Sequence, residues 1–399
     1  MSENGVDNVI DQSRFGNKPL ARGSRRWQLE ILSCHKTINI FGSRFNYPIV
    51  VFLLYFCSAG MGRIYVLYYD FKHTSGNHAG MGYLSREIQA AISDVRLIRH
   101  VRQGYTGGRY VGWVYAVFIA LYLCIVLRPG DKVCFMEYLS GHFARQDVIA
   151  AILRKWRKSN FLLGIIHLPF PFLKDLYNTE ERISKKVAML DHIVVFGNQL
   201  KHDIEQLSSV RVTFAHHYAE RAYYRPAHNL SEEGRRKLQV LCIGGIKRNW
   251  ELLSDIVSQC AHVDFQLCIG SASDCFVPRL ANVHLYTRLK ESELLNLMQQ
   301  CDVNLSIFED TVGSNSITSS MAVGLVQVVS RVGSIHDYCS VHDSFLCNSL
   351  DDYVRALKAL SDAPDLLKKM KQATLEASQR FDKEKFIRLF KSIIGVART

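Results

Sequence analysis

The stretch GSNSITSSMAVGLVQVVSRVGSIHDYC, Gly313–Cys339, joins a polar loop to a helix of small residues and then to an apolar strand. Another apolar strand is predicted just before it, at Val303–Ile307. The helix is predicted to start near Ser316 and to end at Gly324. A strand, a loop and a helix N-terminus in this order present free backbone N–H groups and the positive end of the helix dipole above a parallel sheet. The stretch therefore predicts an anion site, and phosphate is the anion such sites usually bind.

Polar side chains crowd this predicted loop. Each of them could be an ordinary helix cap, a position for which Ser and Asn are often used. A single cap accounts for only one of them, so we predict that the others contact a ligand. The predicted ligand-binding residues are Gly313, Ser314, Asn315, Ser316, Thr318, Ser319 and Ser320.

Strand and helix patterns alternate along most of the chain. The first series of predicted strands is Ile64–Tyr69, Val95–Ile98, Lys132–Met136, Phe161–His167, His192–Phe196 and Val212–Ala215. The second series is Leu238–Ile243, Phe265–Ile269, Val283–Tyr286, Val303–Ile307 and Val326–Ser330. Such alternation predicts βαβ units on parallel sheets. We therefore expect an α/β protein with two Rossmann-like, doubly wound parallel-sheet domains that face each other across a cleft.

The length of the chain supports two domains. With 399 residues, of which 48% are hydrophobic, it is too long for one ordinary core. We expect residues 1–60 to be an N-terminal extension outside the folded protein. The other expected parts are an N-terminal domain at 61–218, a polar linker at 219–237 and a C-terminal domain at 238–399, whose last helix returns to the N-terminal domain.

Charge and cysteine content narrow the possible partners. The formal net charge of +12 suggests nucleic acid, an acidic membrane surface or a phosphorylated substrate. The sequence shows no recognition-helix motif, no RNP-like aromatic strand and no zinc finger, so we expect no nucleic-acid partner. The eleven cysteines form no C-x-x-C pair, which argues for a reducing, cytoplasmic location and against a disulfide or zinc framework.

Two segments indicate contact with a membrane. Tyr110–Leu127 is uncharged over a length close to that of a transmembrane helix. A span here would place neighbouring strands on opposite sides of the membrane, so we favour burial in the first domain, with a position in the membrane interface as the alternative. Gly141–Asn160 is a basic amphipathic pattern, typical of a solvated face or of adsorption to anionic lipid. Together the two predict a peripheral protein on the cytoplasmic face of the inner membrane.

The run MAVGLVQVVSRVGSIHDY, Met321–Tyr338, resembles the C-terminal signature of group 1 (family 4-like) glycosyltransferases, which use nucleotide sugars and have the GT-B fold. Four other motifs are similar to that family in the same order. They are the glycine loop SGNHAGMGYL (75–84), the strand-end histidine in IIHLPF (165–170), the linker entry HHYAERAYYRP (216–226) and the domain opening LCIGGIKRN (241–249).

The resemblance implies transfer of a sugar from a nucleotide-diphosphate donor to a glycan or lipid-linked acceptor, in bacterial-type surface polysaccharide assembly. It also implies that the N-terminal domain is the acceptor side and that the C-terminal domain binds the nucleotide sugar. The donor is a substrate, and no cofactor is implied. The resemblance points to retention of the anomeric configuration. Because no Asp-x-Asp stands in a suitable loop, we expect transfer without a metal ion.

The resemblance also implies roles for particular residues. A basic turn after the first strand of the second domain would bind the diphosphate, through the fork of an arginine and the point charge of a lysine. Its residues are Gly244, Gly245, Lys247 and Arg248, and Tyr286 would lie near the base. In the first domain the glycine loop would contribute Gly76, Asn77, His78 and Gly80. His167 would lie near the transferred sugar, and Glu137, an acid at a neighbouring strand end, could act as a base if the enzyme inverts.

The sequence departs from the family pattern at the ribose. Ser319 stands where the family has a ribose-binding glutamate, and Thr311 stands eight positions earlier in place of the second one. Gln327 replaces the proline that precedes the valines. These departures leave base, sugar and ribose recognition open, and they keep a catalytically inactive GT-B scaffold, serving as a binding subunit, as the alternative function.

Overall fold

The computed structural model describes residues 39–40, 43–44, 62–69, 76–100, 108–141, 144–227, 237–244, 248–268 and 279–395. The chain forms two compact units, residues 1–60 and residues 61–399. In the first unit, Asn39–Ile40 pairs with Ser43–Arg44 in a short antiparallel ladder. The second unit contains both predicted domains.

Six parallel strands form the first sheet. They are β1 (Ile64–Tyr68), β2 (Val95–Arg99), β3 (Lys132–Phe135), β4 (Phe161–Ile166), β5 (His192–Val195) and β6 (Arg211–Phe214). The helices between them are α1 (Gly80–Ala91), α2 (Gly108–Val126), α3 (Gln146–Trp156), α4 (Phe170–Tyr177), α5 (Glu180–Val187) and α6 (Asn198–Leu207). The spatial order is β2-β1-β3-β4-β5-β6, a doubly wound order that reverses beside β1.

The second sheet repeats this plan. Its strands are β7 (Leu238–Ile243), β8 (Val263–Cys268), β9 (Val283–Tyr286), β10 (Val303–Ser306), β11 (Val326–Ser330) and β12 (Ser344–Cys347). Its helices are α7 (Trp250–Gln259), α8 (Glu291–Gln300), α9 (Asn315–Val323), α10 (Leu350–Asp362) and α11 (Pro364–Ser378), with 3₁₀ turns at Ile335–Asp337 and Gln379–Phe381. The spatial order is β9-β8-β7-β10-β11-β12, and every pair is parallel.

The predicted fold class is confirmed. All eleven predicted strands are present, each within two residues of its predicted bounds. Central strands of the first sheet, such as Ile64–Tyr68 and Phe161–Ile166, are continuous apolar runs because helices cover both faces of that sheet. Strand β12 was missed, since Ser-Phe-Leu-Cys is short and carries little pattern.

The last helix, α12 (Lys383–Ile393), packs on the first sheet although it follows the second one in the chain. Phe386 and Phe390 lie in the same apolar cluster as Val66 of β1. Lys383 Nζ lies 2.7 Å from Glu87 of α1. The chain end therefore closes one face of the first sheet.

Helix α2 has one buried face and one exposed face. Ala116, Ala120 and Leu123 are buried in the first domain's core. The opposite face, from Tyr110 to Ile125, carries large apolar side chains that are exposed. The expectation of burial is therefore met on one side of the helix only. In the described part of the chain, no helix has the length and hydropathy needed to cross a membrane.

Candidate functional site

Residues beyond the carboxyl ends of the strands join the two sheets. Tyr338, after β11, donates its hydroxyl hydrogen to the Phe196 carbonyl at the end of β5 (2.6 Å). The same hydroxyl accepts from the N–H of His217 (2.8 Å). Asp337 accepts from the backbone and side-chain N–H groups of Asn198 at 2.7 and 2.8 Å. The strand ends at which ligands of doubly wound sheets usually bind therefore meet across one cleft.

Arg248 and the polar loop come together at the second sheet, as predicted. Arg248 is buried, with its guanidinium carbon 3.9 Å from the ring centroid of Phe308. One guanidinium nitrogen donates to the Ile243 carbonyl (3.1 Å) and to Ser316 Oγ (3.4 Å). Gly244, with φ of 90°, lies directly beside the guanidinium. A fixed cation thus sits next to the N-terminus of α9.

The first turn of α9 offers polar groups to the cleft. Ser314 is the N-cap, and its Oγ accepts from the N–H of Ser316 (3.2 Å). The two hydroxyls lie 2.7 Å apart. Asn315 Oδ1 is buried and makes no hydrogen bond to any described residue. With Arg248 beside them, these three residues form a cationic and polar pocket of the kind that binds phosphate.

Two residues in the second half of the predicted loop do not face the cleft. Thr318 and Ser320 are fully buried. The Thr318 hydroxyl donates to the Tyr218 carbonyl (3.0 Å), and the Ser320 hydroxyl donates to the Ile317 carbonyl (3.0 Å). Their assignment to donor binding is therefore wrong, because these hydroxyls serve the helix and the contact between the domains.

Gly313 is required by packing. Its φ is 101°, in the left-handed region. A Cβ here would overlap the ring of Tyr338, the residue that joins the two sheets. Thr311 Oγ1 accepts from the Gly313 N–H (3.1 Å) and holds the loop. Thr311 thus has a structural role at the position where the family has glutamate.

We expect Gly313→Ala to destabilise the protein by about 2–5 kcal/mol, the sum of left-handed strain and overpacking. Urea unfolding measures the change. Gly130→Ala is the matched control, since Gly130 has a φ of 89° and open space around its Cα. The control should lose only about 1–2 kcal/mol; an equal loss in both variants would contradict the role of Tyr338 packing.

His167 and Glu137 form a pair at the ends of β4 and β3. His167 Nε2 lies 3.0 Å from Glu137 Oε2. Burial lowers the pKa of His167, but the charge of Glu137 and its hydrogen bond outweigh that effect and raise the pKa overall. The N–H of Glu137 donates to Gln146 Oε1 (2.8 Å), which fixes this strand end. Nδ1 of His167 is buried without a hydrogen bond to any residue that the structure describes.

Glu137 is almost completely buried and directed at His167. A carboxylate held this way orients the histidine and stabilises its protonated form. The geometry therefore favours a positioning role for Glu137 over the predicted role as a base.

His217 is a buried histidine, and the centroid of its ring lies 4.8 Å from that of Phe196. Burial lowers its pKa from 6.5 to about 4. The unfolded chain binds this proton more readily, so stability is present above pH 6.5 and is lost as the pH falls towards 4. We expect a loss of about 3 kcal/mol from this group.

Urea unfolding between pH 7 and pH 4 tests this expectation. Many groups titrate in this range, so the quantity of interest is the difference between the parent and His217→Gln. The variant should lose less stability on acidification. Parallel curves for the two proteins would rule out His217 as a source of acid sensitivity.

The glycine loop of the first domain is tied to the second domain by Glu291, a residue that sequence reasoning missed. Glu291 accepts from the N–H of His78 (2.6 Å) and pairs with His78 Nδ1 (2.9 Å). It also accepts from the hydroxyl of Tyr224 (2.8 Å), which lies beside Ser319. Tyr223 stacks on the ring of His78 at 3.9 Å. Glu291, in α8, therefore places a carboxylate near Ser319, the position at which the family pattern has a glutamate.

The other loop residues show why this segment is rich in glycine. Gly76 and Gly80 have φ values of 96° and 82°, and open space surrounds both. Asn77 lies between them and is partly exposed. Ser319 is nearly buried beside Tyr224, so it can reach a ligand only if that tyrosine moves.

Tyr286 does not point to the cleft. Its hydroxyl donates to Gln266 Oε1 (3.0 Å). Gln266 lies two positions before the end of β8, whose last residue is paired with Tyr286. The side chain therefore leans back along the sheet, and the prediction that it contacts the base is wrong.

Two predicted residues, Gly245 and Lys247, lie outside the described residues. Among the residues that are described, no three His, Cys, Asp or Glu side chains are grouped as metal ligands.

Comparison with protein families and with curated proteins finds no match to this sequence. Solved structures do match. Sucrose-phosphate synthase from Thermosynechococcus elongatus has a TM-score of 0.66 at 12% identity over 84% of this chain and 100% of that one. HepE from Anabaena, solved with UDP, has a TM-score of 0.64 at 12% identity over the same shares. A glycosyltransferase from Rickettsia africae has a TM-score of 0.58 at 14% identity, again over 84% and 100%.

At identities of 12–14%, these similarities establish the architecture only, and the reaction has to be inferred from the residues of the site. The comparison covers 84% of this chain, and both doubly wound sheets lie in residues 61–399. The chain therefore has the two-domain GT-B fold of these structures.

Proposed function

We propose that the protein is a glycosyltransferase that moves a sugar from a nucleotide-diphosphate donor to a glycan or lipid-linked acceptor. One observation carries the proposal: Arg248 and the first turn of α9 converge at the carboxyl edge of the second sheet. A buried guanidinium beside the positive end of a helix dipole suits a diphosphate.

The donor diphosphate would lie against Arg248, Ser314 and Ser316. UDP is the first nucleotide to test, because the HepE and pneumococcal GtfA structures were solved with UDP. Asn315 Oδ1 offers an acceptor to the donor's sugar or ribose hydroxyls.

His167 would serve the sugar side of the cleft. Glu137 holds its Nε2 at 3.0 Å, and in its protonated form the ring can donate through Nδ1 to a sugar hydroxyl or to the departing phosphate oxygen. It would thereby stabilise negative charge as the bond between sugar and diphosphate breaks.

The finer points of the proposal follow from the resemblance in sequence. We propose retention of configuration, transfer without a metal ion, a role in surface polysaccharide assembly and a cytoplasmic location. Loss of activity on chelation, restored by manganese, would contradict the second of these.

A thermal-shift panel of UDP-, GDP-, ADP- and CMP-sugars tests the proposal. A ligand that binds only the folded state raises the free energy of unfolding, by about 2.7 kcal/mol when its concentration is a hundred times its Kd. The melting temperature rises accordingly. We expect one nucleotide class to raise the Tm clearly above the others. No shift with any of them would contradict donor binding.

Thr311 and Ser319 stand where the family pattern has glutamates. Their presence favours a second candidate function, an inactive GT-B scaffold that serves as a binding subunit. Hydrolysis or transfer of the stabilising nucleotide sugar separates the two. An enzyme releases nucleoside diphosphate at a rate that depends on His167, whereas a scaffold binds the compound and leaves it intact.

A further inference from the structure

The outer face of α2 is a continuous apolar surface on a domain that is otherwise covered with polar groups. The exposed residues on this face are Tyr110, Val111, Trp113, Val114, Phe118, Leu121, Tyr122 and Ile125. Tyr110 and Ile125, near its two ends, are each 79% exposed, and Phe118 between them is 64% exposed. A helix on the surface of a soluble domain normally carries charged or polar residues on this side. An apolar patch of this extent marks an interaction site.

Trp156 extends this surface at the C-terminal end of α2. The neighbouring helix α3 packs beside α2, and Arg157 Nε donates to the Cys124 carbonyl (2.7 Å). Trp156, the last residue of α3, is 68% exposed. The exposed residues Lys155 and Lys158 lie on either side of it in sequence. The docking surface, defined as the outer face of α2 with Lys155, Trp156 and Lys158, therefore has an apolar centre and a basic end.

The chain segments that carry this surface are basic. Residues 95–130 contain five arginines and no Asp or Glu. Residues 148–160 contain four basic residues and again no acid. Two of the arginines, Arg96 and Arg99, are exposed on the edge strand β2, and the Arg99 carbonyl accepts from the hydroxyl of Tyr115 in α2 (3.4 Å). A partner that fits here is apolar over the helix and anionic around it.

We infer that this surface docks the protein on a bilayer that contains anionic lipid. Tyr and Trp side chains, which occupy both ends of the docking surface, are favoured at the boundary between headgroups and acyl chains. Lysine and arginine near such a surface are attracted to anionic headgroups. The helix lies in the interface with its outer face inserted, and it does not cross the bilayer.

Vesicle flotation of the full-length protein tests the inference. Vesicles of equimolar phosphatidylglycerol and phosphatidylcholine should carry the protein at low ionic strength, and vesicles of phosphatidylcholine alone should carry less. Phe118→Ser combined with Ile125→Ser should lower the bound fraction about tenfold or more. Both positions are exposed, so the melting temperature of this variant should match that of the parent.

Matched controls separate the surface from general effects. Val341→Ser changes an equally exposed apolar residue of the second domain and should leave binding unchanged. Lys155→Glu with Lys158→Glu should abolish the preference for phosphatidylglycerol. Lys368→Glu with Lys369→Glu makes the same change of charge on the exposed side of α11 and should retain the preference.

Three results would overturn the inference. The parent protein could fail to float with the anionic vesicles at low ionic strength. The Phe118 and Ile125 double variant could bind as the parent does. A dimer could become a monomer in that variant while vesicle binding stays the same, which would assign the face to a second copy of the chain. The assay needs no nucleotide sugar, so its failure leaves the proposed transferase activity standing.

Discussion

Replacing His167 by alanine should lower kcat for sugar transfer by about a hundredfold or more, with little change in the affinity for nucleotide. His167 is the residue of the first sheet whose side chain combines an acidic partner at 3.0 Å with a raised pKa. Its loss removes the donor that stabilises charge on the leaving group. Steady-state kinetics at several donor concentrations separate kcat from KM.

Two further variants make this prediction specific. His202→Ala removes an exposed histidine of α6 and should keep full activity. Glu137→Gln keeps the shape of the pair and removes the charge that raises the pKa of His167. Burial then lowers that pKa, so the basic limb of the pH profile should move to lower pH. An unchanged profile would contradict the positioning role of Glu137.

Arg248→Ala should weaken nucleotide binding by about ten- to a hundredfold, because a charge-assisted hydrogen bond contributes about 1.5–3 kcal/mol. Arg248→Lys keeps the charge but loses the guanidinium fork and its stacking on Phe308, so it should fall between alanine and the parent. Ser316→Ala should cost less, about 0.5–1.5 kcal/mol, since a hydroxyl is neutral. Calorimetric titration with the nucleotide measures all three.

The control for charge is Arg355→Ala, which removes an exposed arginine of α10. It should bind nucleotide as the parent does. Because Arg248 is buried, unfolding of the Arg248 variants is measured alongside binding. If the Arg248→Ala and Ser316→Ala variants both fold and bind nucleotide as the parent does, the polar loop only caps α9 and does not bind the diphosphate.

The fold could be predicted from the sequence because strands buried on both faces of a parallel sheet appear as short runs of apolar residues. Runs such as Ile64–Tyr68 and Phe161–Ile166 are apolar on both faces, and the helices between them have their own period. Because strands and helices alternate along the chain, successive strands are expected to pair in parallel through βαβ units. The strand β12 escaped because four residues without alternation cannot be told from a loop.

The site could be predicted only in part. Arg248 and Ser314 to Ser316 lie in loops that follow strand ends, and the topology of a parallel sheet brings such loops together. The orientation of Tyr286 depends on a hydrogen bond to a neighbouring strand, which no local pattern records. Glu291 is 213 residues from His78 in sequence, so the tie between them could not be inferred without the folded chain.

The most direct test of the donor site is hydrogen–deuterium exchange of the full-length protein with and without saturating UDP or whichever nucleotide raises the melting temperature. The nucleotide should slow exchange at the backbone amides of residues 313–317 and of Gly244, with smaller effects in the glycine loop at residues 76–80. Protection of these amides would place the diphosphate between Arg248 and the N-terminus of α9. Binding of the nucleotide with unchanged exchange at both places would contradict the account.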